Sequence, residues 1–361
     1  MNILILSWRG PGHPSAGGAE QSTWQHAAGW IKAGHQVTLL TAGFVGCQPR
    51  ETKDGINILR SGDQFIGVRL SAFFWYWFGK HSKIDLVVDE FHGIPFFTPV
   101  WVFRSKILAF IHEIAGPVWH LNPWPKPFNM VPAIVGKYGE PWMFRLLYKY
   151  INFMTVSEST KMDLQKNNIK HITVINNGVS LPPKLPNIKK EKIFTIIYLS
   201  ALAKDKGIED ALKVFNLLKT RVNNIKFWVV GKGIPSYVSY LQDMCPEAKF
   251  WGFVSENLKF ELLTRANVML NPSVHEGWGL VNIEANACGT PVVGYDVSGI
   301  RDSVVNGTTG ILVEAGRVDN LVKAILQIKS GFIKSNECKR WAGNFTWDKS
   351  TSNSLKFINS L

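Results

Sequence analysis

Residues 271–294 read NPSVHEGWGLVNIEANACGTPVVG and run from the end of one strand through a loop and a helix into the next strand. A short apolar strand ends near Asn271, glycines at 277 and 279 allow a sharp turn, and a helix begins near Leu280. Pro291 then opens a second apolar strand. A buried strand, a crossover helix and another buried strand predict a parallel sheet with helices on both of its faces.

The same alternation of short apolar runs and helical patterns extends along the rest of the chain. In the first half, it predicts strands at Asn2–Leu6, Gln36–Leu40, Asn57–Arg60, Asp85–Val88, Lys106–Ile111 and Phe153–Val156. In the second half, it predicts strands at Phe194–Leu199, Lys226–Val230, Val268–Asn271, Pro291–Gly294 and Gly310–Val313. The fold class is therefore α/β, with two Rossmann-like parallel-sheet domains.

The two series of strands are separated by a stretch rich in proline and charge. Residues 179–186 read VSLPPKLP, and three lysines and a glutamate follow at 189–192. Such a composition is typical of a linker. We therefore expect an N-terminal domain over residues 1–184 and a second domain from residue 185. A length of 361 residues agrees with two domains of ordinary size.

Composition excludes several classes of protein. The chain is 46% hydrophobic and 19% charged, unlike a disordered chain, a collagen or a disulfide-rich miniprotein. The apolar run that opens the chain predicts a strand rather than a secretory signal, and the longest apolar stretch, Ala72 to Phe78, is too short to span a membrane. Four cysteines without metal or redox spacing favour a reducing, cytoplasmic location.

The net charge of +13, from 40 Lys+Arg against 27 Asp+Glu, indicates an anionic partner. Residues 1–182 carry 17 basic and 11 acidic residues, and residues 183–361 carry 23 and 16, so the excess is spread over both halves. This even distribution and the lack of a nucleic-acid-binding motif make nucleic acid an unlikely partner. A phosphate-bearing substrate or an anionic membrane surface fits better.

Two loops carry the candidate chemistry. The first, GPGHPSAGGAE at residues 10–20, joins the first strand to the first helix, where glycines let a phosphate approach the helix N-terminus. It lacks the spacing of a dinucleotide fingerprint, and a plain tight loop is an equal alternative.

The second loop places Glu276 before a helix and Glu284 within it. The helix start offers N–H groups to a diphosphate, and the carboxylates suit sugar hydroxyls. The alternatives are a capped surface helix with two solvated glutamates, or a glycosidase acid/base pair, which leaves the phosphate-type loops unexplained.

These motifs resemble those of the family 4 glycosyltransferases, retaining enzymes of the GT-B fold. The resemblance rests on Glu276 and Glu284 as an E-x7-E motif, on the GGAE sequence at 17–20, on NGV at 177–179 and on FTWD at 345–348. It covers nearly the whole chain. It implies two domains that face a central cleft, with a C-terminal helix at 346–361 that returns to the N-terminal domain and a nucleotide-binding domain over 185–345.

The resemblance also implies a donor site. Glu276 is expected to bind the transferred sugar and Glu284 the ribose, and the nucleotide base is expected near Phe253 and Val254. The backbone of Gly277, Trp278, Gly279, Leu280 and Val281 is expected to hold the distal phosphate, with Gly17 and Gly18 as the N-terminal donor loop. Lys206 is expected to stabilise the diphosphate, so that no metal and no cofactor are required.

One position departs from the family pattern. The family has an arginine five residues before its Lys-Gly pair, and this chain has Ala201 there, before Lys206 and Gly207. Alanine cannot supply the bidentate fork that arginine offers to a diphosphate. Lys204 is one candidate for the missing cation.

The acceptor side is less specific. His112 follows the strand Lys106–Ile111 and resembles the family's histidine near the transferred sugar or acceptor. Ser157 is expected to cap the helix after the strand Phe153–Val156. Aromatic and basic residues fill two stretches, 70–80 and 119–142, the latter with Trp119, Trp124, Lys126, Lys137 and Trp142. They predict either a membrane-interface contact or buried helices.

The resemblance thus implies a metal-independent hexosyltransferase that retains anomeric configuration, and the cysteine pattern predicts a cytoplasmic one. Its predicted partners are a nucleotide-diphosphate sugar, a glycan, lipid-linked or small-molecule acceptor, and the anionic face of a membrane. A donor-binding protein with weakened catalysis and a sugar-nucleotide epimerase are the alternatives. His112, Lys206 and Glu276 are the predicted catalytic residues.

Overall fold

The computed structural model of the chain describes residues 1–14, 16–114, 116, 119, 130–182 and 188–361. It divides into two compact units, one formed by Met1–Gly178 with Trp347–Leu361 and the other by Val179–Thr346. The division falls after Gly178, whereas the predicted boundary between 184 and 185 lies outside the described residues.

The first unit is built on an eight-stranded sheet. Its strands are β1 (Asn2–Leu6), β2 (Gln36–Thr41), β3 (Arg50–Lys53), β4 (Ile56–Arg60), β5 (Leu86–Phe91), β6 (Lys106–Ile111), β7 (Asn152–Thr155) and β8 (Ile172–Val174). They lie in the order β3-β4-β2-β1-β5-β6-β7-β8, and only β3 runs antiparallel to its neighbour. The strand order reverses between β1 and β5, which is where open α/β sheets bind ligands.

The second unit has a six-stranded sheet that is parallel throughout. Its strands are β9 (Phe194–Leu199), β10 (Ile225–Val230), β11 (Lys249–Gly252), β12 (Val268–Asn271), β13 (Val292–Tyr295) and β14 (Gly310–Val313). The order β11-β10-β9-β12-β13-β14 reverses between β9 and β12. Each unit therefore has its own switch point, at the carboxyl ends of its two central strands.

Helices cover both sheets. In the first unit they are α1 (Gly18–Lys32), α2 (Gly67–Phe78), α3 (Met130–Ile134), α4 (Glu140–Met143), α5 (Glu158–Lys166) and α13 (Trp347–Ser360). In the second they are α6 (Ile208–Lys219), α7 (Pro235–Met244), α8 (Glu256–Arg265), α9 (Leu280–Ala287), α10 (Ile300–Ser303), α11 (Val318–Lys329) and α12 (Ser335–Ala342). Wider π-helical turns at Val135–Gly139 and Phe144–Tyr148 join α3 and α4 into one helical rod over residues 130–148. Among the described residues, no helix is both long and apolar enough to cross a membrane.

Helix α13 belongs to the first unit because it packs against α1. Ser354 Oγ lies 2.9 Å from His26 Nδ1 and accepts from Trp30 Nε1 at 3.0 Å. A Cβ on Gly29 would come within 2.8 Å of Thr351, so the two helices touch closely at this glycine. Burial lowers the pKa of His26 to about 3, and the ring is therefore neutral at physiological pH.

The predicted α/β class with two parallel sheets is confirmed, and each predicted strand has a counterpart. The pattern missed β3, β8 and β11, which are three or four residues long and include no fully buried residue. Ser157 caps α5, since its Oγ accepts from the Thr160 N–H at 3.2 Å. The four cysteines are free thiols.

Candidate active site

Two charged residues meet at the switch point of the second unit. Lys206 lies in a 3₁₀ turn after β9, and Glu276 lies in the loop after β12. The Lys206 Nζ is 3.1 Å from the Glu276 Oε1 and 3.3 Å from the His275 carbonyl oxygen. Their side chains are 21% and 17% exposed, so each remains within reach of a ligand at this edge.

Backbone contacts fix the position of Lys206. The buried Tyr198 hydroxyl donates to the carbonyl of Ala201 at 3.0 Å or that of Lys206 at 3.1 Å, and the Val274 N–H donates to the Asp205 carbonyl at 3.0 Å. Gly207 has a φ of +69°, and a Cβ there would lie 1.9 Å from the Pro272 carbonyl oxygen. The loops after β9 and β12 therefore approach each other so closely that only glycine fits.

Helix α9 begins beside this pair, as predicted. Gly279 precedes Leu280 in a left-handed conformation, with φ +72°. Asn282 then anchors the first turn, since its Nδ2 donates to Ser303 Oγ at 2.9 Å and its Oδ1 accepts from Asn271 at 2.8 Å. The first N–H groups of a helix have no acceptor within it, and together with the helix dipole they favour an anion.

The side chain of Trp278 is part of the core of the second unit. Its side chain is buried, with its ring centroid 5.0 Å from that of Phe345. Its indole therefore packs inside the second unit, and the predicted contact of residues 277–281 with a phosphate would have to come from the backbone.

Glu284 lies on α9, facing α8. Its Oε1 is 2.7 Å from the Nζ of Lys259, which is also 2.8 Å from Glu256. Burial raises the pKa of the Glu284 carboxyl, although Lys259 opposes this shift. Burial disfavours the charge of Lys259, but the two glutamates outweigh it and raise the pKa of its ammonium group.

The predicted base-binding residues follow β11. Phe253 is 80% exposed, whereas Val254 packs partly against the core beneath the sheet. Lys232, in the loop after β10, places its Nζ 5.7 Å from the centre of the Phe253 ring. An exposed aromatic ring with a nearby cation is suited to stacking of a planar base.

The loop that carries Ala201 lies beside the loop that carries Lys232. The Leu202 N–H donates to the Lys232 carbonyl at 2.8 Å, and Leu202 and Gly233 form an isolated bridge. Both Lys204 and Lys232 are exposed. The structure thus offers two cations near the position where the family arginine is expected.

At the edge of the first unit, the glycines at 17 and 18 are exposed at the start of α1. The Glu20 carboxylate reaches back to them, because its Oε2 accepts from the Gly17 N–H at 2.5 Å. Its Oε1 is 2.5 Å from Arg9 Nε. The Gly17 N–H therefore already donates to a carboxylate of the same unit, and Arg9 pairs with that carboxylate.

His112 belongs to a buried polar cluster around Glu90. The Glu90 Oε1 lies 3.1 Å from Nε2 of His92 and 3.1 Å from Nε2 of His112, and it also accepts from the Thr23 hydroxyl. The two imidazole rings are nearly parallel, with centroids 5.7 Å apart. Burial alone would raise the pKa of Glu90, but the two histidines outweigh it and hold that pKa well below its usual range.

Sequence reasoning missed Glu90, His92 and Lys259 as members of these clusters. Glu90 and His92 had a usable signal, because they stand at the carboxyl end of a fully buried strand, β5. Lys259 had none, since a lysine on an amphipathic helix is usually solvated. Of the aromatic stretch at 119–142, Trp124 and Lys126 lie outside the described residues. Within the described part of the chain, no three His, Cys, Asp or Glu side chains are grouped so that they could hold a metal ion.

Comparison with known proteins identifies the family of the chain. The family model "Glycosyltransferase Family 4" matches residues 16–181, and "Glycosyl transferases group 1" matches residues 184–344. Together they cover nearly the whole chain. The chain belongs to the family 4 glycosyltransferases.

Curated relatives of this glycosyltransferase chain include a capsular polysaccharide biosynthesis glycosyltransferase of Staphylococcus aureus, 31% identical over 188 residues. That match covers 46% of this chain and 48% of the relative, so the chain spans about half the length of that protein. An uncharacterized glycosyltransferase of Methanocaldococcus jannaschii is 24% identical, with 96% of this chain and 95% of the relative covered.

Solved structures share the fold. Sucrose-phosphate synthase of Thermosynechococcus elongatus has a TM-score of 0.79 at 17% identity, with 99% of this chain and 98% of that chain covered. Anabaena HepE, solved with UDP-glucose, has a TM-score of 0.73 at 17% identity and full coverage of both chains.

Proposed function

We propose that this protein transfers a hexosyl group from a nucleotide-diphosphate sugar to an acceptor, with retention of anomeric configuration and without a metal ion. The observation that carries the proposal is the Lys206–Glu276 pair beside the start of α9, at the switch point of the second unit. A cation and free helix N–H groups suit a diphosphate, and an adjacent carboxylate suits sugar hydroxyls.

The roles of the residues follow from this arrangement. Lys206 and the N–H groups at Gly279–Val281 stabilise the departing diphosphate, Glu276 binds the transferred sugar, and Glu284 binds the ribose next to Lys259. The acceptor hydroxyl attacks on the face from which the diphosphate leaves, and the leaving phosphate helps to take its proton. Catalysis then rests on positioning and charge stabilisation. His112 acts on the acceptor side, with its ring oriented by Glu90.

Lys232 supplies the cation that Ala201 cannot. It stands between the Ala201 loop and the exposed ring of Phe253, whereas Lys204 has no contact with the proposed base position among those described. A diphosphate linked to a base on Phe253 would pass the Lys232 ammonium group. Lys232 would meet the diphosphate with a single ammonium group, whereas an arginine would offer two parallel N–H donors.

The acceptor is a glycan, a lipid-linked sugar or a small molecule. A glycan acceptor is supported by the capsular polysaccharide relative, whose name assigns it to capsule biosynthesis. The proposed location is the cytoplasm, which agrees with four free thiols.

The test is to compare Glu276→Ala and Lys206→Ala with two matched controls. Glu314→Ala removes a 71% exposed glutamate just after β14 of the same sheet, and Lys323→Ala removes an exposed lysine of α11. A thermal-shift screen of UDP, GDP and ADP sugars first identifies the donor. We expect the site variants to lose at least about a hundredfold in transfer rate at an unchanged melting temperature. Wild-type turnover in both site variants would refute the assignment.

Ala201 also favours a second candidate, a donor-binding protein with weak or no catalysis. It predicts calorimetric binding of a nucleoside diphosphate without turnover across a panel of acceptors. An epimerase of similar fold would instead consume the donor with no acceptor present. The three functions are therefore separated by the same purified protein and the same donor.

A further inference from the structure

Two helical segments of the first unit cover the same face of its sheet. Along β5, residues 87, 89 and 91 point to one side. Val87 is in register with Leu4 of β1, and Leu4 shares a core cluster with Val68, Ala72 and Tyr76 of α2. Phe91 of the same strand shares a core cluster with Met143, Phe144 and Tyr148 of the rod at 130–148.

The segment between these helices connects them. The Trp77 indole on α2 donates to the Trp101 carbonyl at 3.1 Å. Asp89 accepts from the Thr98 hydroxyl at 2.8 Å and from the Tyr148 hydroxyl at 2.6 Å. Helix α2, residues 94–104 and the rod at 130–148 therefore form one continuous layer.

The outer side of this layer is apolar where a water-facing helix is normally polar. On α2, Leu70, Phe74 and Phe78 recur every four residues and are each more than half exposed. On the rod, Tyr138, Trp142 and Leu146 recur at the same spacing and are also more than half exposed. Such stripes on two neighbouring helices form an exposed apolar surface of the kind that marks an interaction site.

Cations accompany the stripes. Residues 65–80, 94–104 and 130–150 contain six basic residues and one acidic residue, Glu140. Glu140 is engaged by the Gly116 N–H at 3.0 Å, and Arg69 is tied to the Pro95 carbonyl at 2.8 Å. The other five cations are Lys80, Arg104, Lys137, Arg145 and Lys149. Lys137 and Lys149 each lie close to a tyrosine ring, at 5.2 and 5.1 Å.

We infer that this apolar–basic face, formed by the exposed side chains of α2, residues 94–104 and the rod at 130–148, rests on an anionic lipid bilayer. Aromatic residues with cations beside them suit the boundary between acyl chains and anionic headgroups. Positive charge on this layer distinguishes a bilayer from a neutral protein partner, because each cation near an anionic membrane adds to the attraction. This face lies in the first unit, so its contact with a bilayer does not depend on the donor site in the second unit.

The experiment measures co-sedimentation of the purified full chain with vesicles. Wild-type protein is expected to bind phosphatidylcholine vesicles that contain phosphatidylglycerol at low salt, and to bind phosphatidylcholine alone at least about tenfold more weakly. The double variant Phe74→Ser/Trp142→Ser should lose about tenfold or more in affinity. Phe332→Ser is the matched control, because Phe332 is 59% exposed, close to Phe74 at 56% and Trp142 at 61%, but belongs to the second unit.

Charge is tested separately. Lys137→Ser/Arg145→Ser should weaken binding roughly thirtyfold at low salt, and Lys323→Ser/Lys329→Ser on α11 should change it little. The inference is overturned if wild-type protein does not bind anionic vesicles, or if the control variants lose as much as the face variants. A concentration-dependent dimer that the Phe74/Trp142 variant abolishes, without vesicle binding, would instead assign the face to a second copy of the chain.

A thermal-shift titration with the nucleoside diphosphate that the wild type binds separates this inference from the proposed function. The face variants should keep the wild-type response. Absence of that response in the wild type would contradict the proposed donor site and leave the vesicle result intact.

Discussion

Glu90 in the first unit and Glu284 in the second are both buried carboxylates, but their surroundings shift their pKa values in opposite directions. Two imidazoles and a hydroxyl surround Glu90 on one oxygen, and they favour the ionised form strongly enough to overcome burial. Glu284 has one cation, Lys259, and burial prevails. The difference lies in the number of partners, since both side chains are buried.

This contrast separates a structural carboxylate from one that is suited to a ligand. The three partners of Glu90 all contact Oε1 and belong to its own unit, whereas its buried Oε2 has no hydrogen-bond partner among the described residues. Removing the charge of Glu90 should therefore act on folding and on the orientation of His112. Glu284 is an incompletely compensated charge, so a hydroxyl that donates to it would be a gain for both partners. Glu276 resembles Glu284 in this respect, because its partner Lys206 is 21% exposed and can also contact a ligand.

The largest expected effect is that of Glu90→Gln. It removes the charge that the two histidines surround, and we expect the free energy of unfolding to fall by about 3 kcal/mol at pH 7. Because the folded pKa of Glu90 lies below its ordinary value of 4.5, its contribution is complete above that pH and is lost as the pH falls further.

This is measured by urea denaturation of wild type and Glu90→Gln at pH values from about 3.5 to about 7, a range that includes the ordinary carboxyl pKa. The difference between them should be constant at neutral pH and shrink below about pH 4.5. Equal midpoints at pH 7 would show that the cluster around Glu90 does not stabilise the unit, and the comparison would fail.

A smaller effect on stability is expected for Glu284→Gln. Its folded pKa is raised, so the folded state takes up the proton first as the pH falls, and the charged form costs stability at neutral pH. Lys259 keeps Glu256 at 2.8 Å when Glu284 is neutral. We therefore expect a change within about 1 kcal/mol in unfolding free energy, together with a roughly tenfold loss of affinity for the nucleoside diphosphate. Calorimetric affinity that stays at the wild-type value would remove Glu284 from the donor site.

The smallest expected effect is that of Lys232→Met. We expect it to weaken binding of a nucleoside diphosphate by up to about tenfold while binding of the nucleoside itself changes little, because only the phosphates carry the charge that Lys232 meets. Lys204→Met should leave both affinities unchanged. Adding Ala201→Arg to Lys232→Met should restore the lost affinity. A larger loss in Lys204→Met than in Lys232→Met would transfer the role to Lys204.

The strands could be predicted where burial is complete, whereas their order in each sheet comes from the structure. The fully buried β12 and the helix start at Leu280 were predicted from glycine spacing and apolar runs alone. Strands such as β3, with the sequence RETK, could not be, since a polar strand at the edge of a sheet has no hydrophobic pattern to detect.

The candidate site was predictable to a similar degree. Lys206 and Glu276 stood next to recognisable loops, and the structure brings them within 3.1 Å. Partners such as Lys259 and His92 come from other segments of the chain, so only the folded topology reveals them. The packing of the Trp278 side chain against Phe345, which lies 67 residues further along, is also visible only in the fold. The predicted backbone contact of Trp278 with the donor stays a prediction.

The packing of α13 on α1 also determines the order in which the protein can be completed during synthesis. The second unit is one continuous stretch, Val179–Thr346, whereas the first needs residues from both sides of it. As the chain leaves the ribosome, His26 and Trp30 of α1 lack their partner Ser354 until residues 347–360 have been made. The half of the protein that is translated first is therefore the last to be finished.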